Sequence, residues 1–343
     1  MNKYNLLDCT LRDGGYITNW VFEEKMMKET ISTLTEANMD YIEVGYLNNK
    51  PYVHNTAQFN SIEQIADFLP KDRGDTFFLA MADVEQFLPE DITPYTGVSI
   101  DGIRVVFYKH QIDKAIKLAR KITECGYQLF MQPMVTIDYT IDEYSTLAKK
   151  IVCTNPTGVS IVDSFGYMLK SDFRRYFTIL DNAFNDDVVI GFHSHNNMNL
   201  AFLIGQDILE YNTSKKLVID SSLFGMGRGA GNLQTELITN YYNMTFGNKY
   251  DTDKILDLIG TYILPLKEVN DWGYSPYFFL TGKYQCHPNY ASYLLDEHNV
   301  SVKEFKEYLD TLPKEMYTKC RKNYVLEMYD QYSEGSGEVR VNE

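Results

Sequence analysis

Two short stretches hold side chains able to do chemistry. In "GFHSHNN", His193 and His195 are separated by one residue. Residues so spaced in a strand point to the same side, so both imidazoles can face one ion. In "LLDCTLRDGGYITNW", Arg12 and Asp13 stand where an apolar run ends, followed by two glycines and Tyr16. Asp13 can complete a site with the two histidines. Two imidazoles, a carboxylate and waters suit a divalent cation with open octahedral positions, Mn²⁺ before Mg²⁺, Co²⁺ or Zn²⁺.

Such residues must be brought together by their elements. Eight apolar, β-branched runs recur along the chain, at 4–11, 41–46, 76–81, 102–107, 128–135, 158–164, 188–195 and 217–223. They are continuous rather than alternating, as in parallel strands buried on both faces. Segments with helical spacing lie between them. In "IDKAIKLARKITECG", Ile112, Ala115, Ile116, Ala119 and Ile122 fall at steps of three or four, with Gly126 as the stop. The segment after the third run holds two prolines and predicts a short or broken helix. Eight strands alternating with helices give α/β architecture, and eight closes a (β/α)8 TIM barrel; a doubly wound open sheet is the rival. The barrel is expected over 1–248, a helical carboxy-terminal region over 249–332 and a flexible polar tail over 333–343.

In such a barrel, polar residues at the carboxyl ends of strands share one pocket. Collected in strand order, they are Arg12 and Asp13, Glu43, Lys109 and His110, Gln132, Asp163 and Ser164, His193 and His195, and Asp220. Glu43 lies in an otherwise apolar strand and needs a partner; Arg12 is the candidate, as a structural ion pair or as part of a catalytic set. Asp163 and Asp220 could also be hydrogen-bonding residues of the barrel interior, and Lys109 and His110 could face solvent. "GMGRGAGN" (225–232) fits a loose dinucleotide-binding pattern through Gly225, Gly227 and Ala230. It follows the eighth run rather than the first and lacks a ribose-binding acid about 20 residues on, which argues against nucleotide. Its glycines, Gly227 and Gly229 among them, instead allow backbone to approach a ligand and bring Asn232 to the pocket.

Composition narrows the partners. The chain has 343 residues, 44% hydrophobic and 23% charged, enough for a sizeable core. A net charge of −15 disfavours nucleic acid and anionic membrane surfaces. Five unpatterned cysteines suggest free thiols in a reducing compartment, and with no signal-like or membrane-length apolar run a cytoplasmic protein is expected.

Together, "LDCTLRDGGY", "IEVGY", "GFHSHNN" and "GMGRGAGN" resemble the metal-dependent aldolase and lyase superfamily of TIM barrels. It includes 4-hydroxy-2-oxovalerate aldolase, 3-hydroxy-3-methylglutaryl-CoA lyase and the 2-isopropylmalate synthases, and the likeness to the first is greatest. The four motifs stand in the family's order and cover about residues 4–245. The resemblance implies a divalent ion on Asp13, His193 and His195 with Asn232 near or on it, and Arg12 at the reacting carbonyl. It also implies C–C bond cleavage or formation through a metal-stabilised enolate of pyruvate or a similar 2-oxo acid, with an aldehyde as the other partner.

The sequence departs from that pattern at the base. The hydroxy-oxovalerate aldolases have histidine three positions after the metal-binding aspartate, where this chain has Tyr16. A phenol of ordinary pKa near 10 is a poor base at neutral pH. Tyr16 therefore needs activation, or His110, His54 or Tyr277 does the work. The condensing synthases have Glu-Gln where Gly15 and Tyr16 stand, which disfavours an acyl-CoA enzyme, the alternative within the superfamily. A barrel that has lost catalysis and serves as a metal-binding module is another alternative. The carboxy-terminal helices could support a homo-oligomer. They do not resemble those with which the aldolases hold an aldehyde dehydrogenase, and that partner is not expected.

Overall fold

The apolar runs become the eight strands of one closed sheet. In a computed structural model that describes residues 3–318 and 320–340, these are β1 (Tyr4–Asp8), β2 (Tyr41–Leu47), β3 (Phe77–Asp83), β4 (Gly102–Phe107), β5 (Gln128–Pro133), β6 (Gly158–Asp163), β7 (Val189–Ser194) and β8 (Leu217–Ser221). Each pairs in parallel with its sequence neighbours, and β8 closes on β1. The result is a (β/α)8 TIM barrel, and the open-sheet alternative is excluded by the β1–β8 ladder.

One irregularity positions a side chain of the site. The β2–β3 register shifts between Glu43 and Tyr46. At Gly45 φ is +152°, and a Cβ there would lie 2.2 Å from the Ala57 carbonyl oxygen. Only glycine fits this crossing, beyond which Tyr46 turns to the barrel mouth.

Six longer helices cover the barrel: α1 (Glu24–Glu36), α2 (Ile112–Glu124), α3 (Ile141–Val152), α4 (Lys170–Ala183), α5 (Ala201–Leu209) and α6 (Thr235–Phe246). In α2 the buried face is Ala115, Leu118, Ala119 and Ile122, close to the face read from the spacing. After β3 there is only a single turn, Pro89–Asp91, as its prolines require.

The helical region divides by its packing. In α7 (Thr252–Leu258), the π-turn Ile259–Ile263 and α8 (Leu264–Val269), the side chains of Ile255, Leu258, Ile259 and Ile263, with Trp272, join the barrel's own core. In α9 (Pro276–Tyr284), α10 (Asn289–Glu297), α11 (Val302–Thr311) and α12 (Lys322–Arg340), apolar faces build a second core around Tyr290, Leu294, Phe305 and Tyr308. The cores thus separate between Trp272 and Phe278, within the helical region expected from 249. The stretch 333–343, expected as a loose tail, continues α12 to Arg340, because extending a nucleated helix is cheap; residues 341–343 lie outside the described ones. No helix among the described residues is long and apolar enough to cross a membrane.

Candidate metal centre and active site

The chain after β1 turns at once into a helical turn, Thr10–Asp13, started by the Asp8 carboxylate accepting from Thr10 N at 2.9 Å. This places Arg12 and Asp13, both buried, at the carboxyl end of the barrel. From β7 come His193 and His195, also buried. Potential ligand atoms of Asp13, His193 and His195 lie within 4.8 Å of one another, so the three residues named from the sequence do converge.

The Gly-rich run after β8 completes the cluster. A single antiparallel bridge joins His195 to Asn232, and Asn196 N donates to Gly231 O at 2.8 Å. Asn232 Nδ2 then donates to Asp13 Oδ2 at 2.6 Å and to Met226 O at 3.2 Å. A Cβ at Gly227 would come within 2.2 Å of Asn232 Nδ2 and 2.7 Å of Asp13 Oδ2. Gly227 thus backs the cluster rather than reaching into the cavity, and Gly229 packs beside Pro288 and Phe278.

Below the cluster runs a closed chain of charges. Arg12 pairs with Asp13 and, through Nε, with Glu43 Oε2 at 2.7 Å. Arg104 Nη1 reaches the same Glu43 oxygen at 3.0 Å and pairs through Nη2 with Asp220. Asp220 Oδ2 lies 3.0 Å from His193 Nδ1. With Nδ1–H donated to Asp220, the Nε2 lone pair of His193 is left for an ion.

Several atoms here are unmet: Glu43 Oε1, Asp220 Oδ1, His195 Nδ1 and Asn232 Oδ1 are buried without hydrogen-bond partners. Burial pushes the His195 imidazole down to about 3, so it is neutral and able to ligate. Burial alone would raise Asp13, but Arg12, both histidines and Arg228 outweigh it and hold this carboxyl well below the usual range. A deprotonated carboxylate, two imidazoles and an unpaired amide oxygen, with three carboxylates against two guanidiniums in the buried set, fit a divalent cation.

Above the cluster is a cavity of about 130 Å³, lined by Arg12, Asp13, both histidines, Ser164, Gln132, Tyr16, Tyr46, Tyr108, Asp83 and Arg228. Tyr16, in the turn Gly15–Thr18, has its hydroxyl 3.3 Å from that of Tyr46 and its ring edge-on to Trp20. Burial and the Tyr16 neighbour raise Tyr46 well above the usual phenol value, so it stays protonated.

Of the other residues named from the sequence, Gln132 and Ser164 reach the cavity and the rest lie outside it or beneath it. Glu43 is beneath the cavity, holding Arg12 and Arg104. Asp163 accepts from the backbone of Tyr167 and Met168 at 3.2 and 3.0 Å and shapes the loop after β6; burial pushes it up to about 7. Ser164 lines the cavity while accepting from Val135 N at 2.9 Å. Lys109 does not enter: it is half-exposed and pairs with Glu143 at 2.5 Å, because a short turn, Lys109–Gln111, carries it past the rim. His110, on the same turn, is exposed and stacks on Tyr108, which takes the inward place. His54 is exposed beside Glu24, and the Tyr277 hydroxyl donates to Val300 O in the second core.

Sequence reasoning missed Arg104, Arg228, Tyr46, Tyr108 and Asp83. Arg104 was readable by the logic used for Glu43, as a lone charge in the apolar run "GIRVVF"; Arg228 stood in plain view between two glycines.

The HMGL-like family model matches residues 97–261. Over 264 residues, 74% of each chain, the protein is 25% identical to an oxaloacetate decarboxylase of Mycobacterium tuberculosis. It is 24% identical to a 4-hydroxy-2-oxovalerate aldolase of Rhodococcus jostii, over 78% of this chain and 75% of that one. Among solved structures, the N-terminal domain of a candidate aldolase from Bacteroides vulgatus matches with a TM-score of 0.73 and 28% identity, over 85% of this chain and 97% of that one. The HMG-CoA lyase of Bacillus subtilis shares the fold, with a TM-score of 0.61 at 14% identity over 76% of this chain and 93% of its own.

Proposed function

We propose, from its similarity to HMGL-like aldolases and lyases, that the chain is a divalent-metal-dependent carbon–carbon lyase acting on 4-hydroxy-2-oxo acids. It would cleave them to pyruvate or a similar 2-oxo acid and an aldehyde, or join the two. The observation that carries this reading is the convergence of Asp13, His193 and His195 beside Arg12 in one cavity.

Asp13, His193 and His195 would hold the ion, Mn²⁺ first, with Asn232 Oδ1 adjacent. When bound, it supplies Lewis acidity toward the carboxylate and keto oxygens of the 2-oxo acid. Arg12 provides a fixed positive charge where enolate charge develops, and it needs no rearrangement because Glu43 and Asp13 already hold it. Glu43, Arg104 and Asp220 are positioning residues: they orient Arg12 on one side and His193 on the other. Aldol cleavage further needs the 4-hydroxyl proton removed. Of the residues considered for that step, Tyr16 is the one that lines the cavity, with its hydroxyl 3.3 Å from that of Tyr46.

A second reading is loss of carbon dioxide from a 2-oxo acid with a carboxylate on C3. It is favoured by Tyr16 itself, since decarboxylation yields the same enolate with no hydroxyl proton to remove. Pyruvate release by the manganese-loaded protein decides between the two. Release from 4-hydroxy-2-oxovalerate with matching aldehyde supports the aldolase, and release from oxaloacetate alone supports the decarboxylase. Thiol release from acyl-CoA esters in place of either, or turnover of none, contradicts both.

A further inference from the structure

We infer that Arg228 is a specificity residue, and that the fragment bonded to the 2-oxo acid carries a carboxylate which Arg228 receives. This rests on the lyase reading above and names the substrate class within it: a 4-hydroxy-2-oxo dicarboxylic acid, or its acidic aldehyde half. Arg228 lines the same cavity as Arg12 and Asp13. Its guanidinium lies 5.2 Å from the centroid of the Tyr16 ring, on the side assigned to the 4-hydroxyl. It is half-buried, its Nε is shielded from water without a hydrogen-bond partner, and no carboxylate among the described residues pairs with it. An unmet buried donor on a charged group is costly, and an incoming anion would offset that cost.

The other charges at the cavity are occupied. Arg12 and Asp13 pair with each other and are already assigned to the 2-oxo acid and the ion. Asp83, the other carboxylate in the lining, accepts from Glu85 N at 2.7 Å through Oδ1. With Arg12 assigned to the 2-oxo acid, Arg228 is the cation left for the fragment bonded to it. Its position is built in, for Gly231 N donates to Arg228 O at 3.1 Å and Gly273 N holds the Gly229 carbonyl at 3.3 Å. A single planar fork matches a carboxylate bidentately. A space of about 130 Å³, shared with the 2-oxo acid, suits that compact group better than a phosphate.

The test is calorimetric binding to the manganese-loaded, full-length protein of 2-oxoglutarate and of 2-oxovalerate, which have equal carbon number but end in a carboxylate and a methyl group. The expected result is about tenfold or greater preference for 2-oxoglutarate. Arg228→Gln should erase the preference and Arg228→Lys restore part of it. Equal affinity for the two acids, or an Arg228→Gln protein that weakens both equally, overturns the inference. So does better use of glyceraldehyde 3-phosphate than of glyoxylate as acceptor with pyruvate. Absence of turnover with every substrate would overturn the lyase reading alone, since the binding preference is measured without turnover.

Discussion

The two ends of this barrel hold comparable numbers of charged groups but treat them differently. At the amino-terminal end lies the roomier cavity, about 1020 Å³, with Asp40, Lys249, Arg73 and Asp101 in its wall. There Asp40 accepts from Leu6 N at 2.9 Å, Lys249 Nζ at 2.6 Å and the Tyr250 hydroxyl at 2.5 Å, and Arg73 pairs with Asp101 at 2.6 Å. The carboxyl end has about 130 Å³ of space, yet four buried polar atoms around the Asp13, His193 and His195 cluster are unmet. Cavity size and unmet polar groups therefore point to opposite ends. Saturated hydrogen bonds mark groups that tie β1 to the segment before α7, whereas unmet ones mark groups waiting for a ligand.

This contrast can be broken by substitution. Arg12→Ala should lower turnover by about 10²–10³-fold, the loss typical of a donor to developing oxyanion charge, with Arg12→Lys recovering part. Steady-state pyruvate release would show it, and near-normal turnover would remove Arg12 from the chemistry. A smaller effect is expected one step away. Asp220→Asn frees the His193 ring and should weaken metal binding by about 10–100-fold, read by titration with Mn²⁺. Unchanged affinity would make the Asp220–His193 contact ornamental. The smallest effect on turnover belongs to the other end. Asp40→Asn removes one of two acceptor oxygens and should cost about 1–3 kcal/mol in urea unfolding while leaving turnover as it was. A large loss of activity there would erase the distinction between the ends.

Much of this was legible in the chain. The eight runs appear as strands within a few residues of their expected limits, because strands buried on both faces must be apolar throughout. His193 and His195 were readable because a strand's period of two fixes which way alternate residues point, and Asp13 because it stands where an apolar run ends. Lys109 and His110 were not: one residue of phase in the turn after β4 decides whether they or Tyr108 face inward, and no periodicity applies in a turn. Arg228 was visible in the sequence but its direction was not, since loop direction depends on backbone clamps made by distant residues such as Gly273. How the helical region divides between two cores was not legible, because an amphipathic helix does not say which neighbour its apolar face will meet. The sequence of α7 is as compatible with a separate bundle as with the barrel wall it joins.

The central claim is that Asp13, His193 and His195 form a cation site on which the chemistry depends. Calorimetric titration of metal-stripped, full-length protein with Mn²⁺, with turnover followed in the same samples, tests it most directly. The account predicts one ion per chain, turnover that returns in step with occupancy, and loss of both in His195→Ala. Full turnover in the stripped protein under chelator, or unaltered binding by His195→Ala, would contradict it.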